Sequence, residues 1–437
     1  MSTWVATVAS GAQEPLNAPA PLISAPASGV TAGDTAAQLI SAQRALEMGM
    51  PATAAEIFRE LLKRPGIDER SITLSLSAAL IADNRAPEAE RLLAAFKNKV
   101  GAGHEGAAWH LYAGLAAMQM NRVEPARGEL PPVKERESEL TPEERSWWFY
   151  LQGLLAEKGP DRARAAEAAR GFYEQAIEAA TSTYARVGFQ IAREQALLRI
   201  RVPTPAELEL SRQQMETWRG RDLGYGAAET VAVGLNAQGN RTQALAVLNE
   251  QLLGLPAQER AREDRFRLLI GMIAGAGDGV GRNALLQLLR SGRDIEPQRI
   301  ALQLLAEKST TEPLRGQFRA ELSRLIAAPV PHPIYEDLLL FRANFSLAEK
   351  NFIAAEEDAR ALLDKFPGSA LKPLALAVLT SSAWEQRRYR TVVESAMRAV
   401  EAQSKDSSSG RQARAELNVL VAEAWFRAGD FRSSADA

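Results

Sequence analysis

From Asp34 to the last residue, the chain alternates runs of about 12–17 residues, apolar at i, i+3, i+4 and i+7, with short polar breaks. A period of 3.6 residues with that spacing is the mark of an amphipathic helix that buries one stripe and wets the other. Strands require alternation with period two, rich in Val, Ile, Thr and aromatics. No such run occurs, and no hairpin dipeptide joins two of them. Ala, Leu, Arg, Glu and Gln dominate the runs, and these residues enter helices at little cost. The expected fold class is all-α.

The breaks between helices repeat. Asp83-Asn84-Arg85-Ala86-Pro87-Glu88-Ala89 and Met120-Asn121-Arg122-Val123-Glu124-Pro125-Ala126 lie 37 residues apart, and Gly239-Asn240-Arg241-Thr242-Gln243-Ala244 reads almost alike. A second set comprises Lys350-Asn351-Phe352, Arg387-Arg388-Tyr389 and Gly429-Asp430-Phe431, spaced by 37 and 42 residues between their aromatics. Each break ends one helix and places a small or slim residue on the first turn of the next. Two antiparallel helices joined this tightly approach closely near the turn. A small side chain permits the contact, and Gly or Asn takes the left-handed conformation that stops the first helix.

These residues resemble the tetratricopeptide repeat (TPR), a helix–turn–helix unit of about 34 residues. Asn418, Val421, Ala422 and Trp425 fall at the first-helix spacing, and Gly429-Asp430-Phe431 is similar to the family's turn. Ala343, Ala355 and Pro367 match a small position, the alanine after the turn and the closing proline, whereas Arg342 stands where the family has Leu. Phe149 and Gly153 match within Trp147-Trp148-Phe149-Tyr150, followed by Ala169, Tyr173 and Ala176, and Ala54 with Phe58 supplies Ala-x₃-Phe. The resemblance is to a divergent bacterial type; abundant Ala and an excess of Arg over Lys suit a GC-rich genome. It covers about Thr35 to Ala437 and is weakest between Pro203 and Pro329. It implies a right-handed superhelical solenoid of about eleven antiparallel helix pairs, near 35–64, 69–99, 104–137, 142–180, 182–219, 222–254, 257–291, 296–328, 333–366, 371–404 and 411–437.

Prolines set the expected interruptions, because proline cannot continue a helix and holds its predecessor extended. Pro131-Pro132 should break the second helix of the third pair. Val202-Pro203-Thr204-Pro205 and Pro329-Val330-Pro331-His332-Pro333 should bend the solenoid, with a soft joint at 329–333 between divergent repeats (35–330) and more regular ones (331–437). Residues 1–34 stand apart. Leu16 to Gly33 is Ala, Pro, Ser and Gly without a charge, which reads as a disordered leader. Met1 to Gln13 ends in small residues like the tail of an export signal but lacks a basic start, so the residues slightly favour a cytoplasmic over an exported protein. At the other end, the chain stops at Ser433-Ser434-Ala435-Asp436-Ala437, within the first turns of an expected helix. The preceding helix carries Leu417, Leu420, Val421, Trp425 and Phe426. The expectation is that further repeats or another chain cover this apolar edge.

Signatures of chemistry are few. No cysteine is present, which excludes disulfides, thiolate zinc sites and a cysteine nucleophile. With 52 Lys and Arg against 54 Asp and Glu, the chain lacks the basic excess of a nucleic-acid binder. No stretch approaches 18 uninterrupted apolar residues, so no transmembrane segment is expected. His104, His110 and His332 lack metal-site spacing and read as surface or half-buried polar residues. Gly275-Ala276-Gly277-Asp278-Gly279-Val280-Gly281 lacks the third glycine of a dinucleotide loop and a preceding strand, so it reads as a turn. The acid-rich segments Lys134 to Glu139 and Glu349 to Asp358 read as solvated faces. Arg387-Arg388-Tyr389-Arg390 and Arg219-Gly220-Arg221 read as turn surfaces, and Trp147-Trp148 as inter-helix packing.

No cofactor, metal or catalytic residue is assigned. The resemblance implies a non-enzymatic scaffold that binds protein or peptide partners in the groove lined by the first helix of each pair. By that geometry the groove residues are Leu340 and Asn344 in one repeat and Ser381 and Trp384 in the next. Two alternatives stay open: a structural assembly subunit of a bacterial envelope or export complex, and an α/α-toroid enzyme acting on carbohydrate.

Overall fold

A computed structural model describes residues 32–101, 105–257, 259–402 and 408–437. Most of the leader, with the export-signal reading, lies outside the described residues, as does His104. The chain divides into two compact units, with the boundary between Ala274 and Gly275. The first holds α1 (Ala32–Glu47) with α2 (Pro51–Leu62), α3 (Glu69–Ala82) with α4 (Ala86–Val100), and α5 (Ala107–Gln119) with the short α6 (Val123–Gly128) and α7 (Leu130–Glu135). It continues with α8 (Pro142–Ala156) and α9 (Arg162–Ala179), α10 (Thr183–Leu197) and α11 (Pro205–Thr217), α12 (Asp222–Ala237) and α13 (Arg241–Gly254), and ends with α14 (Arg260–Ala274). The second opens with α15 (Gly279–Ser291), followed by α16 (Ile295–Lys308) with α17 (Leu314–Ile326) and α18 (Tyr335–Ala348) with α19 (Phe352–Lys365). α20 (Lys372–Glu385) with α21 (Tyr389–Ala402) and α22 (Ser408–Arg427) with α23 (Phe431–Asp436) complete it. The described residues are thus all-α without strands, and the helices follow one another in the eleven successive segments the sequence predicts, with limits within three residues, α14 and α15 of the seventh segment lying in different units.

The turns explain why the pairing is so regular. Gly49, Asn84, Asn121, Gly239, Lys350, Arg387 and Gly429 all take positive φ, between 54° and 85°. In each case the next residue donates its N–H five residues back, as in Arg85 to Leu80 (2.8 Å), Asn351 to Ser346 (2.8 Å) and Arg388 to Ala383 (2.8 Å). This is the Schellman closure, which satisfies carbonyls that a helix end would leave open. Lys350 and Arg387 depart from the expected Gly or Asn and hold a left-handed backbone that L side chains adopt only at a cost.

Pairs stack in file within each unit. α2 packs on α3, α4 on α5, α9 on α10, α19 on α20 and α21 on α22. First helices also touch their successors, as with α3 and α5, α5 and α8, α10 and α12, and α18 and α20. The residues that carry the resemblance are the ones buried between them: Ala54, Phe58, Ala169, Tyr173, Ala176, Ala343 and Ala355 are fully inaccessible. Trp147 packs edge-on against Phe189 at 5.0 Å and Tyr150 at 5.5 Å, and Trp148 is buried. Pro131-Pro132 leaves the third pair's second helix as two short pieces, α6 and α7, and a 3₁₀ turn at Glu137–Glu139. Thr204 and Glu207 form a capping box that starts α11, with Arg201 and the cap bonds holding the Glu207 carboxyl down at about 2. The proline cluster at 329–333 lies inside the second unit, ahead of α18.

Candidate interaction surface

The first helices of the two units differ in what they leave uncovered. In the first unit, residues 72–85 of α3 and its turn, 105–120 around α5, 146–159 around α8, 187–199 around α10 and 222–236 of α12 contain no exposed residue. Those helices are enclosed by their neighbours. In the second unit, α20 packs on α18, α19 and α21, yet Leu374, Ala377, Ser381 and Glu385 stay exposed. Spacings of three and four residues put them on one side of the helix. On α18 the residues 37 positions earlier than Ser381 and Glu385, Asn344 and Ala348, are exposed too. On α22 the turn register places Glu416, Val419, Glu423 and Arg427 in line with them, and all four are exposed, Val419 at 68%.

The four groove positions named from the resemblance occupy different depths. Asn344 and Ser381 lie on this open face, with the Asn344 Nδ2 donating to the Leu340 carbonyl at 3.0 Å. Leu340 is buried in the core of α18–α20 with Leu339 and Ala343. Trp384 is half-buried, with Tyr389 edge-on at 5.7 Å and the Arg427 guanidinium 4.8 Å above its ring. Leu374, Ala377 and Val419 went unnamed in the sequence. The 37-residue turn register would have found Ala377, but burial on neighbouring helices decides which of the equivalent positions reach solvent.

Beneath the face runs a set of paired charges. The Glu356 carboxylate accepts from Ser382 Oγ at 2.7 Å, Gln386 Nε2 at 3.0 Å, Arg360 at 2.6 Å and Arg388. Burial pushes its carboxyl up, but the Ser382, Arg388 and Gln386 bonds outweigh that and hold it below the ordinary range. Arg342 forms a two-pronged pair with Asp358, at 2.8 and 2.6 Å, linking α18 to α19. This explains the departure at the family's Leu position, because the arginine serves a buried carboxylate. In α17, Glu321 is likewise pushed up by burial, yet Arg290 and Arg324 bring it to about 2. The solvated face expected of Glu349 to Asp358 therefore fails at Glu356 and Asp358, which are buried, while Arg388, at its turn, reaches the Glu356 carboxylate. Those side chains clamp α19 to its neighbours and are not bare.

Elsewhere the chemistry-bearing residues have structural duties. His110 Nδ1 lies 2.6 Å from Glu129, and His332 Nε2 lies 2.7 Å from the Leu289 carbonyl, with burial lowering the His332 pKa. Asp278, in the glycine-rich segment, caps α15 through the Val280 N–H at 2.9 Å. Among the described residues no group of three or more His, Cys, Asp or Glu side chains is placed to hold a metal, and no helix is long and apolar enough to cross a membrane.

No protein-family model matches the chain, and no curated protein matches it. Solved structures similar to it include NprR in complex with its cognate peptide NprX, at 14% identity over 76% of this chain and 99% of that one, with a TM-score of 0.44. Others are the apo form of RapI (11% identity, 83% and 99% covered, TM-score 0.37) and the TPR domain of P58(IPK) (14%, 89% and 99%, 0.26). These likenesses are distant, and the repeat assignment rests on the shared turn geometry and the stacking. On those two observations the chain has a TPR-like helical-repeat fold.

Proposed function

We propose that the chain is a non-enzymatic scaffold that binds a protein or peptide segment along the open face of its second unit. The observation that carries this reading is the uncovered line of Leu374, Ala377 and Ser381, flanked by Asn344 on one side and Val419 on the other. Exposed apolar side chains beside amide, hydroxyl and ion-paired groups suit an extended segment, with shallow apolar contacts for its side chains and polar groups for its backbone. Acids that an enzyme would need are committed to arginines, as with Glu356, Asp358 and Glu321. Affinity capture with mass spectrometry identifies the partner, and calorimetry on Leu374→Arg with Val419→Arg tests the face. Both sites are exposed, so stability should stay within about 0.5 kcal/mol. Binding weakened at least tenfold supports the reading, and full affinity in the folded double variant refutes it.

A second reading, an assembly subunit of a bacterial envelope or export complex, is favoured by a separate patch. Phe426 and Phe431 meet edge-on at 5.3 Å while 59% and 64% exposed. Stable stoichiometric co-subunits that are lost on Phe426→Ser with Phe431→Ser support this reading over the peptide adaptor.

A further inference from the structure

In a stack of helical hairpins each repeat needs contact only with its neighbours. The first unit departs from that pattern at the turn between α1 and α2. This turn reaches the region between α10 and α12, where Arg221 Nη1 donates to the Met48 carbonyl at 2.9 Å across 173 residues of chain. Gly49, at φ +70°, lies against Tyr184 and Trp218. A Cβ there would sit 2.7 Å from Tyr184 Cε2, 2.9 Å from Cδ2 and 3.4 Å from Trp218 Cζ3. The two aromatic rings meet edge-on at 5.7 Å, and the Arg221 guanidinium lies 5.7 Å from the Trp218 ring. α1 also packs on α10.

We propose that the Met48–Gly49 turn is a releasable clasp, which ties the first hairpin of the first unit to α10 and to the start of α12 and opens on its own while the stacked pairs stay folded. Three features make the contact separable from the fold. The Arg221–Met48 bond joins elements that are not neighbours in the stack, so its loss removes no hydrogen bond within a stacked pair. This hydrogen bond joins two exposed residues, Arg221 and Met48, so opening leaves neither group buried and unpaired. The rest of the contact is small, the glycine lying against the edges of the Tyr184 and Trp218 rings. A small contact with these properties belongs to the low-stability end of a structure, where local opening occurs. Gly49 is the one residue that fits the shelf of Tyr184 and Trp218 at this backbone angle.

Hydrogen exchange read by mass spectrometry on the full chain tests the clasp. In Gly49→Leu the amides of 44–51 and of 218–225 should exchange at least tenfold faster, together, while those of α5 and the Schellman amides of Arg85 and Arg122 keep their rates. Arg221→Ala, which cannot clash, should give the same paired change with smaller size. The clasp is overturned if 44–51 and 218–225 do not respond together in Arg221→Ala. It is equally overturned if Gly49→Leu accelerates α3, α5 and α8 to the same degree, which would make the turn a part of the core.

Discussion

Replacing Gly153 by Ala tests the close approach on which each hairpin depends. Gly153 lies in α8, facing Tyr173 of α9, and a Cβ on it would stand 2.7 Å from Tyr173 Cδ1, about 1 Å inside normal contact. The ring has nowhere to go. Tyr173 is fully buried, its hydroxyl donates to Glu157 Oε1 at 2.6 Å, Glu157 is held by Arg199 at 2.7 Å, and the Tyr150 ring packs against it at 5.6 Å. Helix propensity alone would reward the change by about 1 kcal/mol. Overpacking a site that cannot yield costs about 1–3 kcal/mol, and swinging the ring would give up a charge-assisted hydrogen bond of about 1.5–3 kcal/mol. With the propensity gain subtracted, the net expectation is destabilisation by about 0–2 kcal/mol. Gly171, in α9 of the same hairpin, is the control, because a Cβ there meets nothing within 4 Å. Gly171→Ala should stabilise by about 0.5–1 kcal/mol. Both are measured by urea titration of the full chain, with hydrogen exchange confined to α8 and α9 because two units need not unfold together. Gly153→Ala combined with Tyr173→Leu should recover part of the loss. If Gly153→Ala stabilises as much as Gly171→Ala, the helices of this hairpin are not in close contact and the packing argument is wrong.

Three further outcomes follow from single residues. Burial pushes the Asp83 carboxyl up to about 6, with Arg85 only partly relieving it and Glu56 and Glu88 adding to the rise. Because the native value exceeds the unfolded one, the ionised form destabilises the fold by about 3 kcal/mol at pH 7 and above. That penalty fades as pH falls toward about 4, so Asp83→Asn should raise the urea midpoint at pH 7.5 and change nothing at pH 4. Arg342→Leu, which restores the family's residue, strands Asp358 and should cost about 2–4 kcal/mol, whereas adding Asp358→Leu should return most of it. A single variant as stable as the parent would show that the pair does not clamp α18 to α19. Lys350→Gly and Arg387→Gly should each stabilise by about 1 kcal/mol by relieving left-handed backbone, readable as a rise in melting temperature.

Helix pairing was legible in the residues because it is written locally. The apolar period, the proline breaks and the stop signals at Gly49, Asn84, Asn121, Gly239 and Gly429 act over a few residues, and the structure keeps every one. Lys350 and Arg387 adopt the same turn without a favourable residue, since the helices packed on either side impose it. The open face was half legible: Asn344 and Ser381 follow from register, but Leu340 is only 6% exposed because its neighbours close over it.

Features that join distant parts of the chain had no local sign. A carboxylate at 356 and an arginine at 388 look like any solvated surface until folding brings them together, and only then does burial of the carboxylate make a partner compulsory for it. The division at Ala274 and the meeting of Met48 with Arg221 are of the same kind. Periodicity specifies which side of a helix is apolar, but the neighbours that cover that side are chosen by the accumulated turn angles of many repeats, which no short segment encodes.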